Sequence, residues 1–110
     1  MAKRLTVFDI PGDPDELFEI KHSVMDPVMG RKAPEYGGLV HIAVKKPDGS
    51  GIVIVNLWDS PEGSDRAIED PEIIEVRNQL AERLGVSDAP TGRHYEVVDF
   101  MQAGQPAPTG

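Results

Sequence analysis

The sequence contains no cysteine among its 110 residues, and it has little positive charge. The lack of cysteine excludes a disulfide framework, a thiolate zinc site and a cysteine nucleophile. Nineteen acidic residues stand against eleven lysines and arginines, so the formal net charge is −8. A surface of this sign repels phosphate backbones and anionic membranes, and we therefore expect neither nucleic acid nor a membrane as a partner.

Long apolar runs are also missing. No run reaches the roughly 18 residues of a membrane helix, and residues 1–10 lack the apolar segment of a secretion signal. These features indicate a cytoplasmic protein. Hydrophobic residues make up 39% of the chain, which is enough for one modest core. We expect a single domain over residues 1–101, followed by a Pro- and Gly-rich flexible tail at 102–110.

Turn and cap signals divide this domain into four strands and two helical regions, the second of them in two parts. Helices are expected to begin after Asp13, Ser60 and Asp70, because each is a capping residue followed by proline. Pro27 should disturb the first helix near Asp26. Residues 30–38 read as a long connection, and the turn-rich stretch 46–51 predicts a hairpin. Strands are predicted at residues 4–10, 39–45, 52–58 and 93–101.

The resulting order is β-α-β-β-α-β, with the second helix split in two. This is the ferredoxin-like plan, an α+β fold in which helices cover one face of a four-stranded antiparallel sheet. In the first helix, apolar residues recur at intervals of three and four and predict the buried face. They are Leu17, Ile20, Val24 and Val28, with a second stripe of Phe18, His22, Met25 and Met29 beside them.

The strands are apolar on both faces, which one layer of helices does not explain. In the third strand Ile52 and Ile54 alternate with Val53 and Val55, and the second strand has a similar pattern. A sheet with one wet face would alternate apolar with polar residues. The pattern predicts a homodimer that packs sheet against sheet. The alternative is a monomer with an exposed apolar face.

The stretch Val53-Ile-Val-Asn-Leu-Trp58-Asp-Ser-Pro-Glu62 and the broken second helix resemble the dimeric α+β barrel superfamily, in particular its antibiotic-biosynthesis-monooxygenase-like domains. The resemblance covers about residues 3–101. It implies a dimer with a pocket between each sheet and its own helices. It also implies activities such as cofactor-free oxidation of polyketide-type phenols or isomerisation of small lactones.

The same resemblance includes a haem-degrading branch, which this sequence does not match. That branch has a histidine in the second helical region, whereas residues 59–85 contain none, and its first-strand asparagine is absent here. No histidine pair has the spacing of a metal site, and no glycine pattern suits a nucleotide. We expect no metal, haem, flavin or other cofactor.

Five residues are candidates for a site. Asn56 is the one polar residue in an apolar strand, so it needs a partner, a water or a ligand. Asn56 and Trp58 are predicted to bind substrate, although core packing also explains Trp58. His22, His41 and Tyr36 are the candidate catalytic residues. The alternatives are that His22 covers the core edge, that His41 makes a hydrogen bond in the dimer interface, and that Tyr36 belongs to a simple turn.

Two functions therefore remain open. One is a cofactor-independent monooxygenase, or a related enzyme, acting on a small hydrophobic or aromatic substrate. The other is a non-catalytic dimeric domain that binds a hydrophobic small molecule or a partner. Convergence of Asn56 with His22 or His41 on one cavity would favour the enzyme.

Overall fold

A four-stranded antiparallel sheet forms one layer of the protein in the computed structural model, which describes residues 2–104. The strands are β1 (Lys3–Pro11), β2 (Gly38–Lys45), β3 (Gly51–Trp58) and β4 (Arg93–Val97). They lie in the order β2-β3-β1-β4, and every neighbouring pair is antiparallel. The hairpin between β2 and β3 and the ferredoxin-like α+β fold are therefore confirmed.

Two helical regions form the second layer. The helices are α1 (Pro14–Ile20), α2 (Asp26–Lys32), α3 (Pro61–Ala67) and α4 (Pro71–Leu84). The three predicted caps are present: Asp13 accepts a hydrogen bond from the Glu16 N–H at 2.9 Å, and Ser60 and Asp70 cap α3 and α4 in the same way. Each cap satisfies a backbone donor that has no partner inside its helix.

Pro27 disturbs the first helical region as predicted, and the disturbance is a π-helical turn at Lys21–Met25 between α1 and α2. At its end the N–H of Asp26 donates to the carbonyl of Lys21, five residues back. Pro27 has no backbone N–H and therefore donates no hydrogen bond to the carbonyl four residues before it. The turn that precedes it is wider, with a hydrogen bond that spans five residues. The turn rotates the helix surface and changes which side chains face the sheet.

Two boundaries differ from the predictions. Residues 30–36 are mostly helical rather than a loop, because α2 runs to Lys32 and a 3-10 turn follows at Ala33–Tyr36. Strand β4 ends at Val97 instead of Met101, since Val97 already pairs with Lys3, the first residue of β1. Of the predicted tail, residues 102–104 are exposed and lie outside helices and strands, and residues 105–110 lie outside the described residues.

The core lies between the sheet and the helices, in two clusters at opposite ends of β3. At one end Ile52 packs with Ile10 and Leu17. At the other end Trp58 packs with Ala67 and Ile73. Between residues 2 and 104, no helix is both long enough and apolar enough to cross a membrane.

The opposite sheet face is apolar, and its β2 row is exposed. Val40, Ile42 and Val44 point away from the helices and are 43%, 51% and 46% exposed. Their cross-strand partners in β3 are Leu57, Val55 and Val53. We call these six residues the outer face. The prediction that both faces of these two strands are apolar is confirmed.

A buried carboxylate joins the two helical regions. Asp70 caps α4 and also accepts hydrogen bonds from the Tyr36 hydroxyl at 2.5 Å and the Lys32 ammonium at 3.0 Å. Backbone N–H groups of Glu72 and Ile73 complete its set of donors. Together, led by the Tyr36 hydroxyl, these donors hold the pKa of Asp70 well below its usual range.

We expect this junction to make the protein sensitive to acid. Because the folded-state pKa of Asp70 is lowered, its stabilising effect is present above the unfolded-state pKa of about 3.9 and is lost as the pH falls below it. Asp70→Asn should lower Tm at pH 7, and the difference from wild type should shrink between about pH 5 and pH 2. Thermal melts over this range, with Asp88→Asn in an exposed loop as the control, measure it. Parallel pH curves for wild type and Asp70→Asn would contradict the prediction.

Candidate functional site

A cavity of about 360 Å³ lies between the sheet and the helices, beside both core clusters, and is partly open to solvent. Its walls are mainly apolar, and they include Phe8, Met25, Met29, Ile54, Ile73 and Leu80. A concave, largely apolar site with a few polar groups is typical of small-molecule binding. The polar groups therefore decide what the cavity can do.

Two of the predicted residues meet in its floor. His41 of β2 and Asn56 of β3 are directly opposed in the strand register and both line the cavity. The His41 Nδ1 lies 2.6 Å from the Asn56 Oδ1. Asn56 thus has the polar partner that its position in an apolar strand required. Of the three candidate catalytic residues, His41 is the one that converges with Asn56 on the cavity.

This contact suits one of the two neutral tautomers of the His41 ring. In the tautomer with the proton on Nδ1, the His41 ring donates that proton to the Asn56 Oδ1. In the neutral ring the Nε2 then has a free lone pair, which is the state of a general base. Asn56 acts here as the group that orients the histidine.

Trp58 closes one end of the cavity. It is 5% exposed, and it packs on Ala67 and Ile73. Its indole Nε1 is buried and finds no acceptor within residues 2–104. An unpaired buried donor is costly, and an oxygen atom of a ligand would relieve that cost. Both predicted substrate-binding residues, Asn56 and Trp58, line the same cavity.

His22 and Tyr36 do not line the cavity. The His22 side chain is 85% exposed, and its Nδ1 lies 3.4 Å from the Asp26 Oδ2. The position of His22 therefore corrects the expectation that it faces the pocket, because the π-helical turn directs it outward. Tyr36 packs against the cluster that contains Trp58 and donates to Asp70, so it supports the site without lining the cavity.

The sequence did not indicate the ion pair that lines the cavity roof. The Lys21 Nζ donates to the Asp26 Oδ1 at 2.7 Å, and the Lys21 side chain is only 11% exposed. A lysine is ordinarily assigned to the surface. The available signal was its spacing, since Leu17, Lys21, Met25 and Met29 recur every four residues and all line the cavity.

A second cation, Arg77 of α4, also lines the cavity. Its guanidinium donates to the Pro90 carbonyl at 3.2 Å, and burial lowers its pKa. Within the described range 2–104, no group of three or more histidine, aspartate or glutamate side chains is arranged to hold a metal ion.

Several solved structures share this architecture. A monooxygenase of Streptomyces coelicolor in complex with the ligand nanaomycin D superposes with a TM-score of 0.68 at 18% identity, covering 94% of this chain and 92% of that one. The chain has the fold of the antibiotic biosynthesis monooxygenases. The resemblance stated from the sequence is confirmed at the level of the fold.

Two further structures extend the comparison. A dimeric ferredoxin-like protein from an uncultured marine organism gives a TM-score of 0.63 at 18% identity, with 93% of each chain covered. SnoaB, a cofactor-independent oxygenase from Streptomyces nogalater, gives 0.54 at 16% identity, covering 94% of this chain and 97% of that one. No protein-family model and no curated protein sequence matches this chain.

The His41–Asn56 contact predicts a measurable tautomer. In the wild-type protein with a neutral His41 ring, long-range ¹H–¹⁵N spectra should show the proton on Nδ1. In Asn56→Leu the contact is lost, and the ring should revert to the Nε2–H form. His22, which has no amide contact, is the internal control. Identical His41 spectra in the two proteins would contradict the prediction.

Proposed function

We propose that the cavity binds a small hydrophobic or aromatic molecule with a hydroxyl or enol group, and that the protein oxidises it with dioxygen without a cofactor. The observation that carries the proposal is the oriented His41 in the wall of an apolar cavity. With its Nδ1 held by Asn56, His41 presents Nε2 to a ligand hydroxyl as a base. No other histidine lines this cavity in the described chain.

The chemistry follows from removing that proton. Deprotonation of a phenol or enol beside an activated methylene raises the electron density of the ring system, so that it can reduce dioxygen directly. In the overall reaction a CH₂ group and O₂ give a carbonyl group and water. One oxygen atom enters the product, the other leaves as water, and the substrate supplies all the electrons.

The comparisons support this class of reaction without fixing the substrate. One structural neighbour is a monooxygenase with a bound ligand, nanaomycin D, and another is described as a cofactor-independent oxygenase. The fold alone accommodates many activities, so the support specific to this chain is the cavity with His41 in its wall.

The test uses 1,8-dihydroxyanthrone as the probe and dioxygen uptake as the readout. We expect uptake above the spontaneous rate, and a loss of about 100-fold in His41→Gln because general bases commonly contribute at least that factor. Asn56→Leu should lose about tenfold, through misorientation of His41. His22→Gln is the matched control and should retain the wild-type rate. Equal rates in His41→Gln and His22→Gln would overturn the assignment of the base.

A second function is favoured by the exposure of His41, which lies on the edge strand β2. A histidine open to water can serve ligand recognition alone, as in a non-catalytic binding domain. Trp58 is the only tryptophan in the chain and lines the cavity, so its fluorescence reports binding directly. A saturable change in fluorescence with no dioxygen uptake would favour this second function.

We further propose that the outer face mediates a homodimer, sheet against sheet. Its support is the exposure of Val40, Ile42 and Val44 in one contiguous row, which water would otherwise have to cover. One structural neighbour is described as dimeric. A second copy presents the same surface across a twofold axis, which makes the contact self-complementary.

The dimer is tested by light scattering at micromolar concentration. The wild type should give about twice the chain mass of 12.0 kDa. Ile42→Lys should give a monomer, because it places a charge at the centre of the outer face. Ile74→Lys makes the same change on the exposed side of α4 and should remain dimeric. A wild-type monomer, or dissociation by both variants alike, would refute the assigned interface.

A further inference from the structure

We infer that Lys21 makes the cavity selective for anionic ligands, in which an apolar ring system carries a carboxylate or another acidic oxygen. The inference rests on the proposed function, since it takes this cavity as the binding site. It adds the charge of the substrate class, which neither the fold nor the His41–Asn56 pair defines.

The placement of the Lys21 ammonium is the first observation. Surface lysines keep the charged end in water, but this side chain is nearly enclosed and lines the cavity. Asp26 Oδ1 is its one hydrogen-bond acceptor within the described part of the chain. An ammonium group has three N–H donors, so Lys21 can also donate to an oxygen atom inside the cavity.

The partner carboxylate is the second observation. Asp26 is more exposed than Lys21, and its other oxygen faces the exposed ring of His22. Asp26 also lines the cavity, but its two oxygens already contact Lys21 and His22, whereas the Lys21 ammonium has N–H donors to spare. Met25, four residues further along the same helical region, also lines the cavity. Its apolar side chain shows that packing at this wall does not require a charge.

The surroundings strengthen the effect on a ligand. Apolar walls reduce the water around a bound ligand, and a charge interaction gains strength as the effective dielectric constant falls. The net charge of −8 works in the opposite direction, because it repels anions at long range. A preference for anions would therefore have to come from positive charges in the cavity wall. Lys21 and Arg77 are the two cations that line the cavity, but Arg77 also borders a separate surface cleft and donates to Pro90.

The experiment compares two probes of nearly equal shape, 2-naphthoate and its neutral amide 2-naphthamide. Isothermal titration at pH 7 should show the wild type binding the anion at least tenfold more tightly. In Lys21→Met the two probes should bind within about twofold of each other. Lys45→Met removes an exposed lysine that pairs with Asp15 outside the cavity, and it should keep the wild-type preference.

Two further variants separate the explanations. Asp26→Asn frees the Lys21 ammonium and should raise the affinity for 2-naphthoate, a result that also serves if Lys21→Met does not fold. Arg77→Met should retain the preference, and its loss there instead would overturn the inference. Equal wild-type binding of both probes would refute the role of Lys21 while leaving the cavity as a binding site. Binding of neither probe would refute the proposed function together with it.

Discussion

The alternation of side chains along β3 is the constraint on which the rest of the structure depends. Asn56 and Trp58 point toward the helices, while Val53 and Val55 point to the outer face. A shift of one residue in the register would exchange the two sets and place the amide on the outer face. The floor of the cavity and the surface proposed for dimerisation are thus two sides of one strand, fixed by a single register.

The placement of positive charge gives the acidic chain its internal organisation. Most acidic residues are exposed, but Lys21 and Lys32 are largely enclosed beside Asp26 and Asp70. Lys32 and Tyr36 anchor the buried cap of α4, so that interaction serves stability. Lys21 occupies the cavity roof on the same helical region, where a ligand could share its hydrogen bonds. Of these two enclosed lysines, Lys32 thus serves stability, and Lys21, which adjoins the cavity, serves ligand binding in our proposal.

Much of the fold was predictable because local signals agreed with one another. Capping residues followed by proline marked three helix starts, and the apolar faces of β2 and β3 gave the sheet. The end of β4 was not predictable, since Val98 to Met101 look like a strand and lack only a partner beside Lys3. Whether these residues pair depends on where β1 begins, and the residue pattern within β4 carries no information about that.

The candidate site was predictable on the sheet and much less so on the helices. Asn56 stood out as a polar residue in an apolar strand, and the register then brought His41 to it. On the first helical region the four-residue spacing of Leu17, Lys21 and Met25 was outweighed by the apolar set that includes Ile20 and Val24. A π-helical turn adds a residue to one turn. The residues after it therefore no longer face the direction that 3.6 residues per turn predicts. His22 was therefore a candidate for the pocket, whereas in the structure Lys21 lines the cavity and His22 is exposed.

The two proposals for the sheet are physically coupled through β2. Ile42 lies on the outer face, and His41, the next residue in the chain, lines the cavity. Strand β2 is at the edge of the sheet, where one side has no hydrogen-bonded neighbour and local opening is easiest. Packing a second copy on Ile42 and Val44 would restrain this strand and with it the His41 ring. A general base works when its geometry is held within narrow limits, so association on one face of the sheet would serve the chemistry on the other.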